Sequence, residues 1–240
     1  MRRIVLVNDR MQTKYRYRLS AAVGRSFDPG FKPENLLTLQ VQVPRRLAAA
    51  DARNAFYADL FGRLDSLPGV VASGGTTRLP LGSTNVSTRV MIDGRAMTPA
   101  EMPEVEMRRA VHNYFQAMGM PIVRGRGFTN EDGPGTQPVA IVNQTMARRL
   151  WPDEDPVGKR VRMGSNPDTP WSTVIGVVGD LRHAALDAEP VAEFYIWYLQ
   201  GRCTVEGKTA TIPLMLDLRG DRLVVGWNRE PVIEMQRCQP

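Results

Sequence analysis

A strand, a helix and a second strand follow one another between residues 37 and 77, and this pattern constrains the fold most strongly. Apolar residues occupy every second position of the first strand, at Leu37, Leu39, Val41 and Val43. This period of two predicts one buried face. Apolar residues three or four positions apart predict one face of a helix, at Phe56, Leu60, Leu64 and Leu67. We expect Asp51 to cap this helix, Pro68 and Gly69 to end it, and residues 70–77 to form the second strand.

From residue 79 to about residue 189, the sequence changes to short predicted strands and turns. Further strands are predicted at residues 86–92, 105–111, 139–142, 157–163, 173–178, 193–199 and 211–218. Short helices are predicted at residues 114–118, ended by Gly119, and directly after Asn143, which is placed to cap the second one. Shifts in composition near Leu79 and Pro190 indicate a domain inserted between these positions, and the mixture of predicted helices and strands makes the expected fold class α+β.

The net charge of +6 is concentrated at the N-terminus. Seven of the 31 basic residues, but one of the 25 acidic residues, lie within positions 1–25, so the remainder of the chain is neutral. A neutral body does not offer the basic face that nucleic-acid binding requires. We therefore predict that residues 1–26 form a disordered basic tail and that nucleic acid is no partner. Contact of this tail with anionic lipid or RNA stays open as an alternative.

No run of apolar residues approaches the roughly 18 to 20 that a membrane-spanning helix needs. The apolar patch at residues 4–7 is shorter than the stretch of about 7 to 15 residues that an export signal requires. We therefore expect neither a transmembrane helix nor a signal peptide in this chain.

Two stretches resemble nucleotide-binding motifs without completing them. Residues 158–160 (GKR) resemble the end of a phosphate-binding loop, but Asp153 stands where that loop requires glycine. Residues 174–179 resemble the first strand of a dinucleotide-binding fold, but no glycine-rich turn follows them. We expect a turn at residues 158–160 and no nucleotide cofactor.

The residues that could bind metal or act as nucleophiles are few and scattered. His112 and His183 are 71 positions apart, and neither is near a cysteine. Structural or surface roles are expected for both. Cys203 and Cys238 lack metal-ligand spacing, and two separate thiols are favoured over a single disulfide.

The acidic pairs and basic residues of the loops are expected to be solvated rather than catalytic. These residues are Asp153 with Asp155, Glu131 with Asp132, and Arg124 with Arg126. The sequence therefore predicts no catalytic, cofactor-binding or metal-binding residue, and a protein that is not an enzyme.

Seven phrases occur in the order in which they occur in one known family. They are residues 27–40 (FDPGFKPENLLTLQ), 67–70 (LPGV), 114–121 (YFQAMGMP), 124–128 (RGRGF), 139–151 (VAIVNQTMARRLW), 155–160 (DPVGKR) and 174–180 (VIGVVGD). Together they resemble the MacB-like periplasmic core domain of ABC transporter permeases of the MacB/FtsX type. The resemblance covers residues 27–200.

The resemblance implies a domain at the periplasmic face of the inner membrane, between the first and second transmembrane helices of a permease. It implies a porter-like α/β subdomain with its first segment at residues 27–79, an inserted β-rich subdomain at 80–190 and a return segment at 191–220. Residues 221–240 are expected to form an irregular tail. The implied partners are the permease transmembrane helices, a separate ABC ATPase and periplasmic proteins, with no cofactor. Because the family has membrane helices on both sides of this domain, we expect a product truncated at both ends.

Several other functions stay open at this point. The chain could be a free-standing interaction domain or a non-functional permease fragment. A hydrolase or ligand-binding enzyme would need a deep pocket with convergent polar groups around Arg124, Asp180 and His183.

Overall fold

The computed structural model describes residues 1–7, 28–41, 50–81, 86–129, 131–133 and 135–197, and three strands between residues 214 and 234. The fold mixes helices and strands in an α+β arrangement. Its helices are α1 (Ala50–Asp65), α2 (Tyr114–Met118) and α3 (Gln144–Leu150). The strands are β1 (Arg2–Val7), β2 (Leu36–Gln40), β3 (Val70–Thr76), β4 (Ser87–Ile92), β5 (Glu104–His112), β6 (Ile122–Gly125), β7 (Val139–Asn143), β8 (Arg160–Met163), β9 (Ser172–Val178), β10 (Glu193–Trp197), β11 (Leu214–Arg219), β12 (Arg222–Trp227) and β13 (Glu230–Glu234).

Three parallel strands in the order β2-β1-β3 form what we call the parallel sheet. Ile4 and Leu6 of β1 pack with Leu60 and Leu64 of α1 on one face of it. Val5 belongs to the apolar cluster on the opposite face, as the alternation of side chains along a strand requires. The sheet is therefore buried on both faces, which is usual for parallel strands.

The position of β1 corrects the prediction of a disordered basic tail. Residues Arg2–Val7 pair with both β2 and β3, and Ile4 and Val5 are fully buried. The free energy gained by burying this short apolar run exceeds the cost of ordering the charged residues beside it. The local sequence did not reveal this burial, because the strands that bury the run lie some thirty or more residues further along the chain. The rest of the predicted tail, residues 8–26, lies outside the described residues.

Six strands pair successively in the order β4-β5-β10-β7-β9-β8, and β8 pairs with β4, so that the pairing closes into a ring. Every one of these strands contributes to a single apolar cluster, which also contains Met146 and Leu150 of α3. β9 additionally pairs with β6, so it has three neighbouring strands. This agrees with the central place in a sheet that its apolar sequence predicts.

β5 belongs to both assemblies. Its first residues pair with β4, residues 106–110 pair in parallel with β10, and residues 110–112 pair with β3 of the parallel sheet. At nine residues, β5 is long enough to pass from the ring into the parallel sheet as one strand. The two assemblies thus share one continuous strand.

β10 pairs with β5 and β7, both of which are strands of the ring. The predicted boundary near residue 190 therefore does not separate this strand from the ring. Phe194 packs into the apolar cluster of the ring, whereas Tyr195 packs into the cluster beneath the parallel sheet. Alternation along β10 thus directs Phe194 and Ile196 to one apolar cluster, and Tyr195 and Trp197 to the other.

Three local details refine the predicted elements. α1 already includes Ala50, so Asp51 lies in its first turn and is not its N-cap. Gly119 ends α2 with a left-handed backbone at φ 69°, as predicted. Asn143 caps α3, since its side chain accepts a hydrogen bond from the backbone N–H of Met146.

The C-terminal region contains strands where an irregular tail was predicted. β11, β12 and β13 form a separate antiparallel sheet, so the prediction for residues 221–240 is wrong at β12 and β13. Pro231, which lacks a backbone N–H, is tolerated in β13 because β13 is the outer strand of this sheet and its register with β12 shifts beside the Gly226–Pro231 pair.

Candidate functional site

A cluster of polar side chains is buried where the ring meets the parallel sheet. Arg108 is 4% exposed, His183 5%, Tyr195 1% and Glu193 not at all. We call these four residues the junction cluster. Arg108 comes from β5, Glu193 and Tyr195 from β10, and His183 from the segment after β9. Charged side chains this deeply buried are rare unless they are paired.

The strand register explains why these side chains meet. Tyr195 lies opposite Arg108 in the parallel β5–β10 pair, and Glu193 lies opposite Glu106. Residues two apart on a strand share a face. The side chains of Glu106 and Arg108 on β5, and of Glu193 and Tyr195 on β10, are therefore directed to the same side of this pair of strands. Glu106 is half-buried and lies at the border of the junction cluster.

Glu193 is the centre of the contacts. Its Oε2 accepts a hydrogen bond of 2.6 Å from the Tyr195 hydroxyl, and its Oε1 lies 3.4 Å from Arg108 Nε. Arg108 Nη2 lies 3.6 Å from Glu106 Oε2, so one guanidinium is shared by two carboxylates. His183 Nε2 lies 3.2 Å from Glu193 Oε1 but lacks the alignment of an N–H donor bond.

Asn143 connects this cluster to α3. Its Oδ1 accepts hydrogen bonds of 2.9 Å from the backbone N–H groups of both Met146 and Glu193. Its Nδ2 donates to the carbonyl oxygen of Val191 at 2.7 Å. One fully buried amide therefore fixes the start of α3 and the start of β10 together.

Burial dominates the electrostatics of the junction cluster. Burial raises the pKa of Glu193 to about 7, although Arg108 and Tyr195 oppose this change. Burial lowers the pKa of His183 well below its usual value, and the charge of Arg108 adds to this effect. Burial also raises the pKa of Tyr195 and of Tyr114, which packs nearby. At pH 6 the Glu193 carboxyl group is thus mostly protonated, and burial disfavours the charged forms of the imidazole and of both phenols.

The arrangement can hold structural elements together more readily than it can act on a dissolved molecule, because its polar atoms are buried. It connects β5, β10 and the segment that contains His183. Thr76 of β3 adds a contact across the boundary, with its Oγ1 2.8 Å from the Arg109 carbonyl oxygen. The cluster therefore holds β5 to β10 and to the segment after β9, and the Thr76 contact joins β3 to β5 beside it.

A second polar cluster lies at the C-terminal end of α1. Asp65 accepts a hydrogen bond of 2.7 Å from Ser73 Oγ, and its other carboxylate oxygen lies 2.6 Å from His112 Nε2. Phe61 stacks on the His112 ring at 4.7 Å between centroids. The carboxylate separates the serine from the histidine, whereas a serine nucleophile needs the histidine as its immediate neighbour.

Asp132 differs from the solvated loop charge that the sequence predicts. It is 7% exposed and receives two hydrogen bonds from Arg126, of 2.5 and 2.8 Å. Burial alone would raise the pKa of Asp132, but the bonds from Arg126 and from the Thr129 N–H lower it below its usual value. The Arg126–Asp132 pair folds the loop upon itself, and sequence spacing did not indicate this pairing.

The other loop charges are exposed, as predicted. Glu131, Asp153 and Asp155 are all exposed, and Arg124 Nη1 lies 3.8 Å from Asp155 Oδ1. A pair at that distance and exposure contributes little to stability. Gly158 has a φ of 88° and lies in a turn.

Arg124, Asp180 and His183, around which an enzyme pocket was considered, have separate partners. Asp180 accepts hydrogen bonds from the N–H and hydroxyl of Thr145 and from Arg148. These bonds support the start of α3.

Cys203 and Cys238 lie outside the described residues. Within the described residues, no group of three potential ligands could hold a metal ion, and no helix is both long and apolar enough to cross a membrane.

The sequence profile of the MacB-like periplasmic core domain matches residues 19–198. This chain belongs to the MacB-like periplasmic core domain family. The family consists of periplasmic domains of MacB/FtsX-like ABC transporter permeases. A search of curated proteins found no match.

Three solved structures show low similarity to this MacB-like domain. The periplasmic region of MacB from Actinobacillus actinomycetemcomitans is 18% identical, with 59% of this chain and 54% of that chain covered and a TM-score of 0.39. A domain of a putative permease from Porphyromonas gingivalis is 18% identical, with coverages of 46% and 45% and a TM-score of 0.34. The extracellular domain of the noncanonic ABC-type transporter YknZ from Gram-positive bacteria is 21% identical, with coverages of 58% and 60% and a TM-score of 0.36. The chain thus spans about half the length of the solved structures that it matches.

Sequence analysis did not identify Arg108, Glu193 or Tyr195 as site residues of this MacB-like domain. The signal that could have found Glu193 and Tyr195 is the placement of a charged residue directly before four aromatic or aliphatic residues. A charge at the start of such an apolar strand either faces solvent or requires a buried partner. Arg108 gives no such signal, because Glu106 and Arg109 also carry charges in its strand.

Proposed function

We propose that this MacB-like domain is a non-catalytic part of an ABC transporter permease at the periplasmic face of the inner membrane. In this proposal it transmits conformational change between the permease transmembrane helices and periplasmic partner proteins. A separate ABC ATPase supplies the energy. Residues 27–79 and 80–190 would act as the first porter-like segment and the insert, and residues 191–220 would be a return segment that begins with β10 inside the ring.

The observation that carries this proposal is the continuity of β5. One strand is hydrogen-bonded to β4 and β10 in the ring and to β3 in the parallel sheet. A displacement of the parallel sheet therefore reaches the ring through backbone hydrogen bonds rather than through a linker. Linkers between domains permit relative motion, whereas a shared strand resists it.

The junction cluster supports the same proposal. Arg108 and Glu193 connect β5 to β10 within the ring, next to the residues of β5 that pair with β3, and removal of Glu193 would leave the Arg108 charge buried. Breaking such a pair typically destabilises a protein by about 3 to 5 kcal/mol. Trp197 adds apolar contact, since it packs against both clusters that border the parallel sheet. These contacts favour movement of the two assemblies as one body.

The distance between two spin labels on the full chain tests this coupling. Ala58 on α1 and Ala96 in the turn after β4 are exposed, and each can be replaced by a labelled cysteine after Cys203 and Cys238 are changed to serine. We expect one narrow distance distribution for the otherwise unchanged chain and a broad one for Arg108→Gln. Arg89→Gln, at an exposed arginine of β4, is the matched control and should keep the narrow distribution. A narrow distribution in Arg108→Gln would count against coupling through this junction.

A permease provides the corresponding test of function. The full chain can replace the periplasmic region of a MacB-type permease that is assembled with its ABC ATPase. We expect transport with the unchanged chain, and ATP hydrolysis with reduced transport for Arg108→Gln. Absence of transport with the unchanged chain, or equal transport by both forms, would contradict the proposed role.

A further inference from the structure

We propose that residues 28–35 form a detachable strap between the ring and the parallel sheet, and that one end of this strap opens before the other. The strap lies directly before β2. We call residues 28–30 its ring end and residues 31–35 its sheet end. The proposal deepens the proposed function and rests on it only for the use of the strap in a transporter, because the contacts of the strap are a property of the isolated chain.

The ring end is bonded to the segment after β9. The Arg182 backbone N–H donates a hydrogen bond of 3.0 Å to the Pro29 carbonyl oxygen, and Arg182 Nε donates one of 3.1 Å to that of Asp28. The two backbones approach so closely that a Cβ on Gly30 would lie 2.1 Å from the Asp180 carbonyl oxygen. Because the Asp180 side chain supports the start of α3, the ring end is connected to the helix of the ring.

The sheet end is bonded to β1 and to α2, which packs against β1 and β3. Arg3 Nη2 donates to the carbonyl oxygens of Lys32 and Glu34, at 2.7 and 2.6 Å. The Lys32 backbone N–H donates to the carbonyl oxygen of Met118, the last residue of α2, at 2.9 Å. Phe31 is 4% exposed and belongs to the apolar cluster beneath the parallel sheet. This end is therefore held by a buried aromatic side chain as well as by hydrogen bonds.

The strap and β5 are two separate ties between the ring and the parallel sheet. β5 joins the ring to β3 through strand pairing, whereas the strap joins the segment after β9 to β1 and α2. Opening of the strap would leave the hydrogen bonds of β5 in place. The strap thus limits movement of the two assemblies about the strand that they share.

The two ends of the strap differ in what holds them. Asp28 is exposed, and Pro29 and Gly30 are half-buried, whereas Phe31 is buried. Opening of the ring end therefore exposes little apolar surface, and opening of the sheet end would expose an aromatic ring. Segments with few buried apolar contacts and exposed hydrogen bonds open at a lower free energy. We expect the ring end to open while the sheet end and β2 stay in place.

The turn within the ring end is local. Asp28 Oδ1 accepts a hydrogen bond of 2.8 Å from the Gly30 N–H, which is an Asx turn. Gly30 has a φ of 81°, in the left-handed region that favours glycine. Since the turn needs no residue of the ring, it is preserved when the ring end opens and prepares this end to close again.

Amide hydrogen exchange of the unchanged full chain tests the order of opening. The Arg182 N–H reports on the ring end, and the Lys32 N–H reports on the sheet end, because each finds its acceptor across the respective contact. We expect protection, corrected for intrinsic rates, to be about tenfold lower or more at Arg182 than at Lys32. Equal protection of the two amides would overturn the order of opening.

Gly30→Ala opens the ring end directly, because its new methyl group would meet the Asp180 carbonyl oxygen. Gly158→Ala is the matched control, since Gly158 has a similar φ of 88° but a Cβ there would meet nothing within 4 Å. With the two spin labels described above, we expect a broad distance distribution and about tenfold lower protection of the Arg182 N–H for Gly30→Ala. The control should show neither change. A narrow distribution in Gly30→Ala would overturn the strap as a tie.

Asp28→Ala is a milder variant that brings no atoms into conflict. It removes the acceptor of the Gly30 N–H at an exposed position and should lower the protection of the Arg182 N–H about threefold. Lys32→Ala is its control, because the contacts of Lys32 to Met118 and Arg3 are made by the backbone. Equal protection of Arg182 in these two variants would overturn the strap even if Gly30→Ala does not fold.

The strap and the coupling through the junction cluster can fail separately. A broad distribution in Gly30→Ala with a narrow one in Arg108→Gln would keep the strap and contradict coupling through the cluster. A narrow distribution in Gly30→Ala with a broad one in Arg108→Gln would keep the coupling and overturn the strap.

Discussion

The Tyr195 hydroxyl donates a hydrogen bond of 2.6 Å to Glu193 Oε2, and the two residues lie two positions apart on the same strand, β10. The bond is buried and stabilises the ionised carboxylate more than the neutral acid. Tyr195 therefore opposes the effect of burial on the pKa of Glu193. Removal of its hydroxyl changes the balance between the two protonation states without a change in strand pairing.

Tyr195→Phe should accordingly destabilise the chain more at pH 8 than at pH 6. At pH 8 the carboxylate is ionised and loses its donor, at a cost of about 1.5 to 3 kcal/mol, whereas at pH 6 the loss is about 1 kcal/mol. Urea unfolding at both pH values measures the difference. In a Glu193→Gln background the difference should vanish, and its persistence there would assign the effect to another group.

Asn143→Ala should destabilise the chain by about 2 to 4 kcal/mol. The substitution removes the cap of α3 and leaves the N–H groups of Met146 and Glu193 without their acceptor. Thermal or urea unfolding compares it with Gln144→Ala, at the next and less buried position, for which we expect a change below about 0.5 kcal/mol. Equal effects would indicate that the buried amide does not hold the two elements together.

Ile4→Ala should destabilise the parallel sheet by about 2 to 4 kcal/mol, because Ile4 is fully buried against α1. Val71→Ala is the matched control, since Val71 lies in β3 of the same sheet and is 48% exposed, so that its truncation should change the free energy of unfolding much less. Denaturant titrations of both variants and of the unchanged chain give the free energies of unfolding to be compared. A neutral Ile4→Ala would show that β1 is not a stable part of the sheet in solution.

Two glycine-to-alanine substitutions should act in opposite directions. A Cβ on Gly176 of β9 would lie 2.2 Å from the Arg126 carbonyl oxygen, so Gly176→Ala requires the backbone of β6 and its following loop to move. A Cβ on Gly62 of α1 would meet nothing within 4 Å, and alanine there should stabilise the helix by about 0.5 to 1 kcal/mol. We expect a lower melting temperature for the first variant and a higher one for the second.

Local patterns in the sequence identified the elements whose signals are complete within a few residues. Asn143 before an amphipathic run predicts the capped start of α3, and this cap is observed. Gly119 after a short apolar turn predicts the end of α2, which is also observed. The β2–α1–β3 unit was predictable for the same reason, because each element has its own periodicity. Boundaries differed by a few residues where helix starts depend on residues outside the periodic run.

Features that depend on distant pairing could not be predicted in this way. Residues 4–7 appeared as an isolated apolar patch because the strands that bury them are far away in sequence. The closure of the ring, and the meeting of Arg108, His183 and Glu193 in it, likewise follow from strand register. Asp132 was assigned to solvent because its bidentate partner Arg126 depends on the turn of a loop.

The shared strand β5 also limits how this domain can be divided. A cut on either side of β5 leaves one assembly with a missing neighbour and an exposed row of backbone N–H and C=O groups. Recombination that exchanges the ring between permeases must therefore carry β5 with it, and must keep residues 110–112 compatible with the β3 of the recipient. The exchangeable unit in evolution or engineering is then the whole domain, rather than either of the assemblies that meet at this strand.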